Sequence, residues 1–262
     1  MKLRMRVLPI ALSLAGLTVG AGLPVAVASP VSQARRAPAA RLAKWPGLTS
    51  SNWSGYGGTA ATGIKFTYAT ATWTVPSVKK IAGYSSAWVG IDGFANNNLI
   101  QTGTESDFVN GKAVYRAWWE ILPASETIIP SLKIKPGDTM AASVQNTSGN
   151  QWTIAIADET TGTLFTIDQT YKGPGASAEF ILEAPSNGSG QLPLAHYKET
   201  QFFELGLGVN FGTPAPAVLT FPNNAIAMVQ NGLQVSTPSK PGGNAFNIAY
   251  GKKQPPFPLT KH

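Results

Sequence analysis

The chain contains no cysteine and only two histidines, and these absences exclude several kinds of active site. Without cysteine there can be no disulfide, no thiol nucleophile and no Cys-based metal site. One of the two histidines is the final residue, so a His-Glu-x-x-His zinc site cannot form. A Ser-His-Asp triad would depend on His196, and no Gly-x-Ser-x-Gly element accompanies that residue.

Other catalytic signatures are missing as well. The chain has no phosphate-binding loop, no dinucleotide fingerprint and neither of the two Asp-Thr/Ser-Gly loops of aspartic peptidases. Acid–base chemistry therefore falls to the 13 Asp and Glu residues, and no cofactor or metal is predicted.

Negative charge is absent from the first third of the chain, where no acidic residue precedes Asp92. Seven Lys and Arg residues lie before position 50, which leaves 13 basic residues against 13 acidic ones in the remainder. The net charge of +7 therefore belongs to the N-terminal segment. A basic patch suited to phosphate binding is not indicated, so nucleic acid is not a predicted partner.

Residues 1–28 are typical of a secretory signal peptide. Basic residues at positions 2, 4 and 6 precede an apolar run that ends in Ala26-Val27-Ala28, a small-x-small cleavage site. The alternative is a transmembrane anchor, which the Gly and Pro content of the run and the cleavage site disfavour. No later stretch reaches ~18 consecutive apolar residues. We therefore expect a secreted protein that has no membrane partner once the signal is removed.

Residues 29–49 are rich in Ala, Pro and Arg and show little apolar periodicity. They are either a short pro-segment, as in a zymogen, or a flexible leader. Residues 50–262 are predicted to form one domain, since roughly 200 residues can bury a single core without disulfides. We expect this domain to be monomeric.

Short runs of period two follow from position 50 and indicate half-buried strands. In KFTYATATWTV, Ala69, Ala71 and Trp73 alternate with threonines. The segment NQWTIAIADETTGTLFTID predicts a hairpin around its Asp-Glu-Thr-Thr-Gly turn, and Lys-Pro-Gly-Asp at 135–138 predicts another turn. No amphipathic helical window appears. The pattern predicts an all-β fold, a sandwich or jelly roll of antiparallel strands.

Period-two alternation also sorts the carboxylates by strand face. A concave sheet face that carries tryptophans and carboxylates would make a binding cleft. The alternative is a set of ordinary solvated outer faces, with the tryptophans packed under loops. The pairs that share a face are Trp88 with Asp92, Gln101 with Glu105, Trp118 with Glu120, and Glu179 with Glu183.

Six motifs, in this order, resemble those of the eqolisins, or glutamic peptidases, a family known from filamentous fungi and also found in bacteria. The motifs are SSNWSGY, ATWTVPSV, SAWVGIDGF, LIQTGTE, YRAWWEILP and AEFILE. The resemblance extends from about Ser50 to Glu183 and more faintly to near Gln230. Any one motif would be weak, whereas six in order are specific. The chain is expected to be a bacterial member.

The resemblance implies a concanavalin-like β-sandwich of two packed antiparallel sheets, one of them bent into a substrate groove. It also implies an acid endopeptidase that cleaves proteins or peptides with a Gln/Glu dyad, which falls on Gln101 and Glu179. Further groove residues of the family match Asn52, Trp53, Trp88, Asp92, Trp118 and Glu120.

The implied chemistry is physically reasonable. Glu179 would take a proton from the attacking water and pass it to the leaving amine. The amide of Gln101 would donate a hydrogen bond to the developing oxyanion. Asp92 and Glu120 would orient the dyad and hold protons, which favours low pH. Glu183, on the same face, is the alternative to Glu179.

Two departures from the family pattern stand outside the dyad: Phe180 replaces the usual Trp, and GFANNNLI lacks the cysteine that fungal members often have there. A second hypothesis is a lectin-like or carbohydrate-active sandwich that binds sugar on its Trp-lined face. Gln101 separates the two, because a glycosidase needs paired carboxylates at that point and the peptidase dyad needs a glutamine.

Overall fold

The computed structural model describes residues 45–94, 96–211, 213–215 and 225–258. The predicted signal peptide and residues 29–44 of the predicted leader lie outside these ranges. Within them no helix is long and apolar enough to cross a membrane. Regular structure consists of β1 (Leu48–Ser50), β2 (Trp53–Thr59), β3 (Phe66–Thr74), β4 (Ser86–Ile91), β5 (Ile100–Val109), β6 (Lys112–Ile121), β7 (Thr127–Ile128), β8 (Thr139–Ser148), β9 (Gln151–Asp158), β10 (Thr163–Thr170), β11 (Ser177–Glu183), β12 (Ser186–Asn187), β13 (Gly190–Gln191), β14 (Thr200–Val209), β15 (Thr213–Ala215), β16 (Ala225–Gln230), β17 (Leu233–Pro238) and β18 (Phe246–Tyr250).

The strands form a continuous hydrogen-bonded ladder in the order β10-β9-β8-β3-β14-β18-β17-β16-β2-β11-β4-β5-β6-β7. The ladder folds over itself, so that β3, β8 and β9 contact β4, β5 and β11 face to face. This arrangement confirms the predicted all-β sandwich. One pairing departs from the antiparallel pattern, because β1 runs parallel to β16.

The core lies between the two layers and is rich in aromatic rings. Phe202 stacks on Phe246 with ring centroids 5.2 Å apart and on Trp73 with centroids 5.7 Å apart. Ala69, Ala71 and Trp73 are fully buried, as the alternation in β3 predicts. Each large apolar side chain buried in this way stabilises the fold by roughly 1.5–3 kcal/mol.

The two local structures predicted from the sequence are both present. Strands β9 and β10 pair as an antiparallel hairpin in which Asp158 lies opposite Thr163. The Lys135–Asp138 turn is closed twice: the Asp138 amide donates to the Lys135 carbonyl at 3.2 Å, and the Lys135 amide donates to Asp138 Oδ2 at 2.8 Å.

The first described residues pack against the sandwich. Trp45 is buried, and its indole N–H donates to the Leu48 carbonyl at 2.9 Å. Leu48–Ser50 forms β1, which pairs with β16. Residues 45–49, assigned to the leader from composition, therefore contact the domain, since β1 pairs with β16 inside the ladder.

The strands β2, β11, β4, β5 and β6 are neighbours, and they share one face that points away from the core. In β11 this face carries Glu179, Ile181 and Glu183, while Phe180 and Leu182 enter the core. The outward face has its own apolar cluster: Trp53, Trp88, Leu99, Trp118, Ile181 and Ile226. We call this surface the groove face.

Candidate active site

One row of residues crosses five neighbouring strands of the groove face. The pairing register places Gly57 opposite Glu179, Glu179 opposite Gly90, Gly90 opposite Gln101, and Gln101 opposite Glu120. Side chains directly opposite each other across a ladder point to the same face. We call this set the catalytic row. Two of its five positions are glycines, so the space above them is left to the flanking side chains and to neighbouring loops.

Glu179 is completely buried, and neither carboxyl oxygen has a hydrogen-bond partner. Burial raises the pKa of Glu179 well above its ordinary value, and the nearby charge of Asp92 raises it further. The Ser177 hydroxyl and the Phe94 amide lie close enough to lower this pKa in part, but neither has hydrogen-bonding geometry to the carboxyl oxygens. Glu179 is therefore a buried carboxyl whose acceptor sites are available to a bound molecule.

Gln101 and Glu120 contact each other directly. Gln101 Nε2 donates to Glu120 Oε2 at 2.5 Å, and both side chains are buried. Burial raises the pKa of Glu120 to about 8, against the lowering effect of the Gln101 hydrogen bond. Gln101 Oε1 and Glu120 Oε1 have no partners. The pair thus holds one amide N–H in place and leaves one oxygen free on each side chain.

Asp92 lies directly after β4 in the left-handed region, with φ of 69°. Its two carboxylate oxygens accept four hydrogen bonds at 2.7–2.9 Å. The donors are Asn96 Nδ2, the Tyr171 hydroxyl and the amides of Gly175 and Ala176. Asp92 is thus on the Glu179 side of the catalytic row, whereas Glu120 is at the Gln101 end.

Glu183, the alternative base, differs from Glu179 in having both oxygens engaged. Asn52 Nδ2 donates to Oε1 at 3.0 Å, and Trp88 Nε1 donates to Oε2 at 2.9 Å. Burial raises the pKa of Glu183 to about 7, and these hydrogen bonds lower it in part. Its acceptor sites are used within the protein, so Glu183 is suited to holding Asn52 and Trp88 in place.

The groove-face tryptophans are buried. Trp53 and Trp88 pack edge to face with ring centroids 5.2 Å apart, and the Trp118 indole N–H donates to Ser86 Oγ at 3.0 Å. None of the three is more than 3% exposed. Sugar-binding platforms present an open ring face to the ligand, and these rings do not.

Two side chains from the segment after β4 lie over the catalytic row. A Cβ at Gly90 would stand 3.1 Å from Leu99 Cδ1, and a Cβ at Gly57 would stand 3.0 Å from Phe94 Cδ2. Leu99 therefore lies over Gly90, and Phe94 lies over Gly57 next to Glu179. The row is closed in this conformation, and access to the dyad requires Leu99 to move.

Two surface pockets lie elsewhere on the described part of the molecule. One of about 300 Å³ lies beside β6 and β7, lined among others by Arg116, Leu132 and Ile134. The other, of about 110 Å³, is lined by Trp152, Tyr171 and the 173–175 loop among others. Neither is lined by Gln101 or Glu179.

A second group of carboxyls lies further along the same face. Arg116 Nε pairs with Glu105 Oε2 at 2.6 Å, and Arg116 NH2 lies 3.7 Å from Asp107 Oδ2. Burial and the neighbouring Glu105 raise the pKa of Asp107 to about 8. Burial, Glu105 and Glu120 raise the pKa of Glu126 to about 9. This group connects electrostatically to the catalytic row through Glu120.

Every site residue predicted from the sequence lies on the groove face or at its border. The prediction missed Glu126, which directly precedes β7, and Tyr171, which is outside the six motifs. It also missed the loop 173–176 that Asp92 holds. The Gly-Pro-Gly run at 173–175, two residues before the AEFILE motif, was the available signal for this loop.

Comparisons with known proteins agree with this architecture. The model of the Peptidase A4 family matches residues 51–250. Aspergillopepsin-2 from Aspergillus niger is 26% identical over 229 residues, which is 77% of this chain and 78% of that protein. Scytalidopepsin B from Scytalidium lignicola is 32% identical over 149 residues, which is 53% of this chain and 55% of that protein.

Solved structures show the same fold. Scytalido-glutamic peptidase with a transition state analog inhibitor has a TM-score of 0.65 at 24% identity, covering 76% of this chain and 98% of that one. Aspergilloglutamic peptidase from Aspergillus niger has a TM-score of 0.55 at 23% identity, covering 64% of this chain and 99% of that one. The family match extends over most of the chain, so the protein belongs to the Peptidase A4 (eqolisin) family and is a glutamic peptidase.

Proposed function

We propose that the protein is a secreted acid endopeptidase in which Glu179 is the general base and Gln101 stabilises the oxyanion. The observation that supports this most is the state of Glu179. It is fully buried, both its oxygens lack partners, and it shares the catalytic row with the Gln101 amide. An ionised carboxylate in that state would accept a proton from a water molecule placed above Gly90.

The reaction then needs one proton acceptor and one oxyanion donor. Water attacks the scissile carbonyl as Glu179 takes its proton, and Gln101 Nε2–H donates to the oxygen that becomes negative. The tetrahedral intermediate collapses when Glu179 returns the proton to the leaving amine. Donors already in place cost no reorganisation at that moment, and each is typically worth about 3–4 kcal/mol of barrier.

The protonation state of Glu120 decides whether the N–H bonds of the Gln101 amide can point into the groove. Its pKa of about 8 keeps it protonated in acid. A protonated Glu120 has an O–H to donate, and Gln101 Oε1 is an acceptor without another partner. A turn of the amide would satisfy both groups and direct the two N–H bonds towards the groove. Oxyanion stabilisation by Gln101 is therefore expected to be strongest when Glu120 is the neutral acid.

The pKa shifts give the pH range a lower and an upper limit. Activity requires Glu179 to be ionised, and burial in the closed row raises its pKa. Activity in strong acid therefore requires the row to admit water when substrate binds, because hydration favours the ionised form. The upper limit comes from Glu183 and Glu120, whose pKa values of about 7 and about 8 add negative charge as the pH rises through neutrality.

Secretion rests on the N-terminal sequence, in which a basic start, an apolar run and Ala26-Val27-Ala28 precede the domain. The absence of the cysteine that fungal members often carry between Asp92 and Gln101 favours a bacterial member of the family.

The test is cleavage of acid-denatured protein by the purified secreted form between pH 2 and pH 8, with Gln101→Ala beside the wild type. We expect cleavage in acid, unaffected by EDTA, and a loss of about 10²–10³-fold in kcat for Gln101→Ala. Absence of cleavage at every pH after the leader is removed, together with glycan binding on an array, would overturn the proposal in favour of a sugar-binding sandwich.

A further inference from the structure

We propose that Tyr171 is a positioning residue for Glu179 that acts through its hydrogen bond to Asp92. Gly173 packs directly against this hydrogen bond. The inference rests on the proposed role of Glu179 as the base. Tyr171 belongs to the hydrophobic core and reaches Asp92 through its hydroxyl group.

The acceptor capacity of Asp92 is fully used. Oδ1 accepts from Asn96 Nδ2 at 2.9 Å and from the Ala176 amide at 2.7 Å, and Oδ2 accepts from the Gly175 amide at 2.9 Å and the Tyr171 hydroxyl at 2.7 Å. An ionised carboxylate has about four acceptor sites, so the four donors match its full capacity. Tyr171 supplies the one donor in this set that comes from a hydroxyl group.

These contacts fix the segment that leads into β11. Asp92 holds the amides of Gly175 and Ala176 with its side chain, and its own amide donates to the Ser177 carbonyl at 2.9 Å. Ser177 begins β11, two residues before Glu179. A change in the position of Asp92 is therefore passed directly to the strand that carries the base.

Tyr171 reaches Asp92 from the core. Its ring is 4% exposed and packs edge to face on Trp152, with centroids 5.4 Å apart. Burial and the charge of Asp92 raise the pKa of the Tyr171 phenol, so it stays a protonated donor throughout the working range. Because the ring is locked by packing, the hydroxyl offers a fixed hydrogen bond to Asp92.

Gly173 lies against this hydrogen bond. A Cβ at position 173 would stand 2.1 Å from the Tyr171 hydroxyl oxygen and 2.5 Å from Asp92 Oδ2. Real Cβ atoms do not approach other atoms so closely, and neither neighbour is free to move away. Only glycine fits here without separating Tyr171 from Asp92.

The contact also has an electrostatic effect on the base. The charge of Asp92 raises the pKa of Glu179, so any weakening of the hold on Asp92 changes when Glu179 ionises. The other titratable group that faces this side of Glu179 is Tyr171, which stays neutral. Gly57 on β2, Gly90 on β4 and Gln101 on β5 do not titrate, and Glu120 lies beyond Gln101.

Tyr171→Phe removes the hydroxyl and keeps the ring. We expect kcat to fall by about 10- to 100-fold with KM changed less than about twofold, since the base is displaced rather than the groove. We also expect the acid limb of the kcat profile to shift, because the charge of Asp92 raises the pKa of Glu179 and the two carboxyls move relative to each other. The matched control is Tyr197→Phe, which removes a buried hydroxyl bonded to Ser236 Oγ at 2.6 Å. It should lower the melting temperature and leave kcat and the acid limb unchanged.

A double-mutant cycle separates positioning from general damage. In an Asp92→Asn background, Tyr171→Phe should add less than about threefold to the loss, since its effect passes through Asp92. Gly173→Ala should reproduce the low kcat of Tyr171→Phe.

Wild-type kcat and an unmoved acid limb in Tyr171→Phe would overturn the inference, as would losses that multiply independently in the Asp92→Asn background. If Glu179→Gln abolishes cleavage while Tyr171→Phe behaves as wild type, this inference fails alone. If Glu179→Gln keeps full activity, the proposed function fails with it.

Discussion

Gln101 and Glu179 lie opposite the same residue, Gly90, on the two strands that flank β4. Two strand spacings separate their backbones by about 9–10 Å. The residue between them has no side chain, and the Trp88 ring and Leu99 occupy the space where its Cβ would point. A carbonyl group and a water molecule therefore fit between the dyad once Leu99 moves. A Cβ at Gly90 would stand 3.0 Å from the Trp88 ring and 3.1 Å from the Ile100 carbonyl oxygen. The glycine therefore permits close packing on the groove side of the row, and it places no side chain of its own between Gln101 and Glu179.

Glu120 provides a test of the pH range. Glu120→Gln should lower kcat at pH 4 by less than about tenfold, because the amide resembles the neutral acid that the raised pKa favours. The variant cannot become charged, so the alkaline limb of kcat/KM should move to higher pH. A pH series on one peptide substrate measures both effects. An alkaline limb that stays in place would show that another group, such as Glu183, sets it.

Stability should also depend on pH, with a sign fixed by the raised carboxyl pKa values. A carboxyl whose pKa is higher in the folded state favours folding while it is protonated. Its contribution is complete below about pH 4.5 and is lost as the pH rises through the folded value, which is about 7 for Glu183 and about 8 for Glu120. For Glu120 the loss is on the order of 4 kcal/mol.

The measurement is the melting temperature between pH 3 and pH 9. We expect a maximum near pH 4 and a fall of roughly 10 °C by pH 8. Glu120→Gln should flatten the curve. A melting temperature that rises from pH 4 to pH 8 in the wild type would contradict the assigned protonation states.

Leu99 closes the row, so shortening it should ease access to the dyad. Leu99→Ala removes the side chain that lies over Gly90. We expect KM to fall by about twofold to tenfold and the acid limb of kcat to move to lower pH, because water reaches Glu179 and lowers its pKa. The fold should lose about 2–5 kcal/mol, as buried leucines do on truncation.

Kinetics at 20 °C, where the variant remains folded, measure these effects apart from stability. Leu132→Ala, which truncates another buried leucine away from the row, is the matched control and should change stability alone. An unchanged KM and acid limb in Leu99→Ala would show that Leu99 does not limit access.

The sequence predicted the parts of the fold that depend on local alternation. Ala69, Ala71 and Trp73 face the core as their period-two pattern requires, and the 151–170 hairpin forms at its polar turn. The insertion of β11 between β2 and β4 depends on pairings between distant residues, such as Glu179 with Gly57 and Glu179 with Gly90. Periodicity cannot reveal such pairings. Alternation offered a cleft only as one of two alternatives, and the family resemblance favoured the groove.

The sequence also predicted the candidate site only in part. Alternation placed Glu179 and Glu183 on one face but could not distinguish them. The difference lies in their partners: Asn52 and Trp88 bind the oxygens of Glu183, and no group binds those of Glu179. Tyr171 escaped the prediction because it reaches the site from the core side, across the strand layer.

The measurement that tests the central claim most directly is kcat at pH 4 for Glu179→Gln beside Glu183→Gln, with the folded state of each verified by its melting curve. The two residues share a strand, a face and full burial, and they differ in whether their oxygens are free. We predict that Glu179→Gln loses about 10³-fold or more in kcat while staying folded. Glu183→Gln should be less stable, since one of its two donors loses an acceptor, yet should keep measurable cleavage. Near-normal cleavage by Glu179→Gln, with activity lost in Glu183→Gln, would contradict the account and move the base to Glu183.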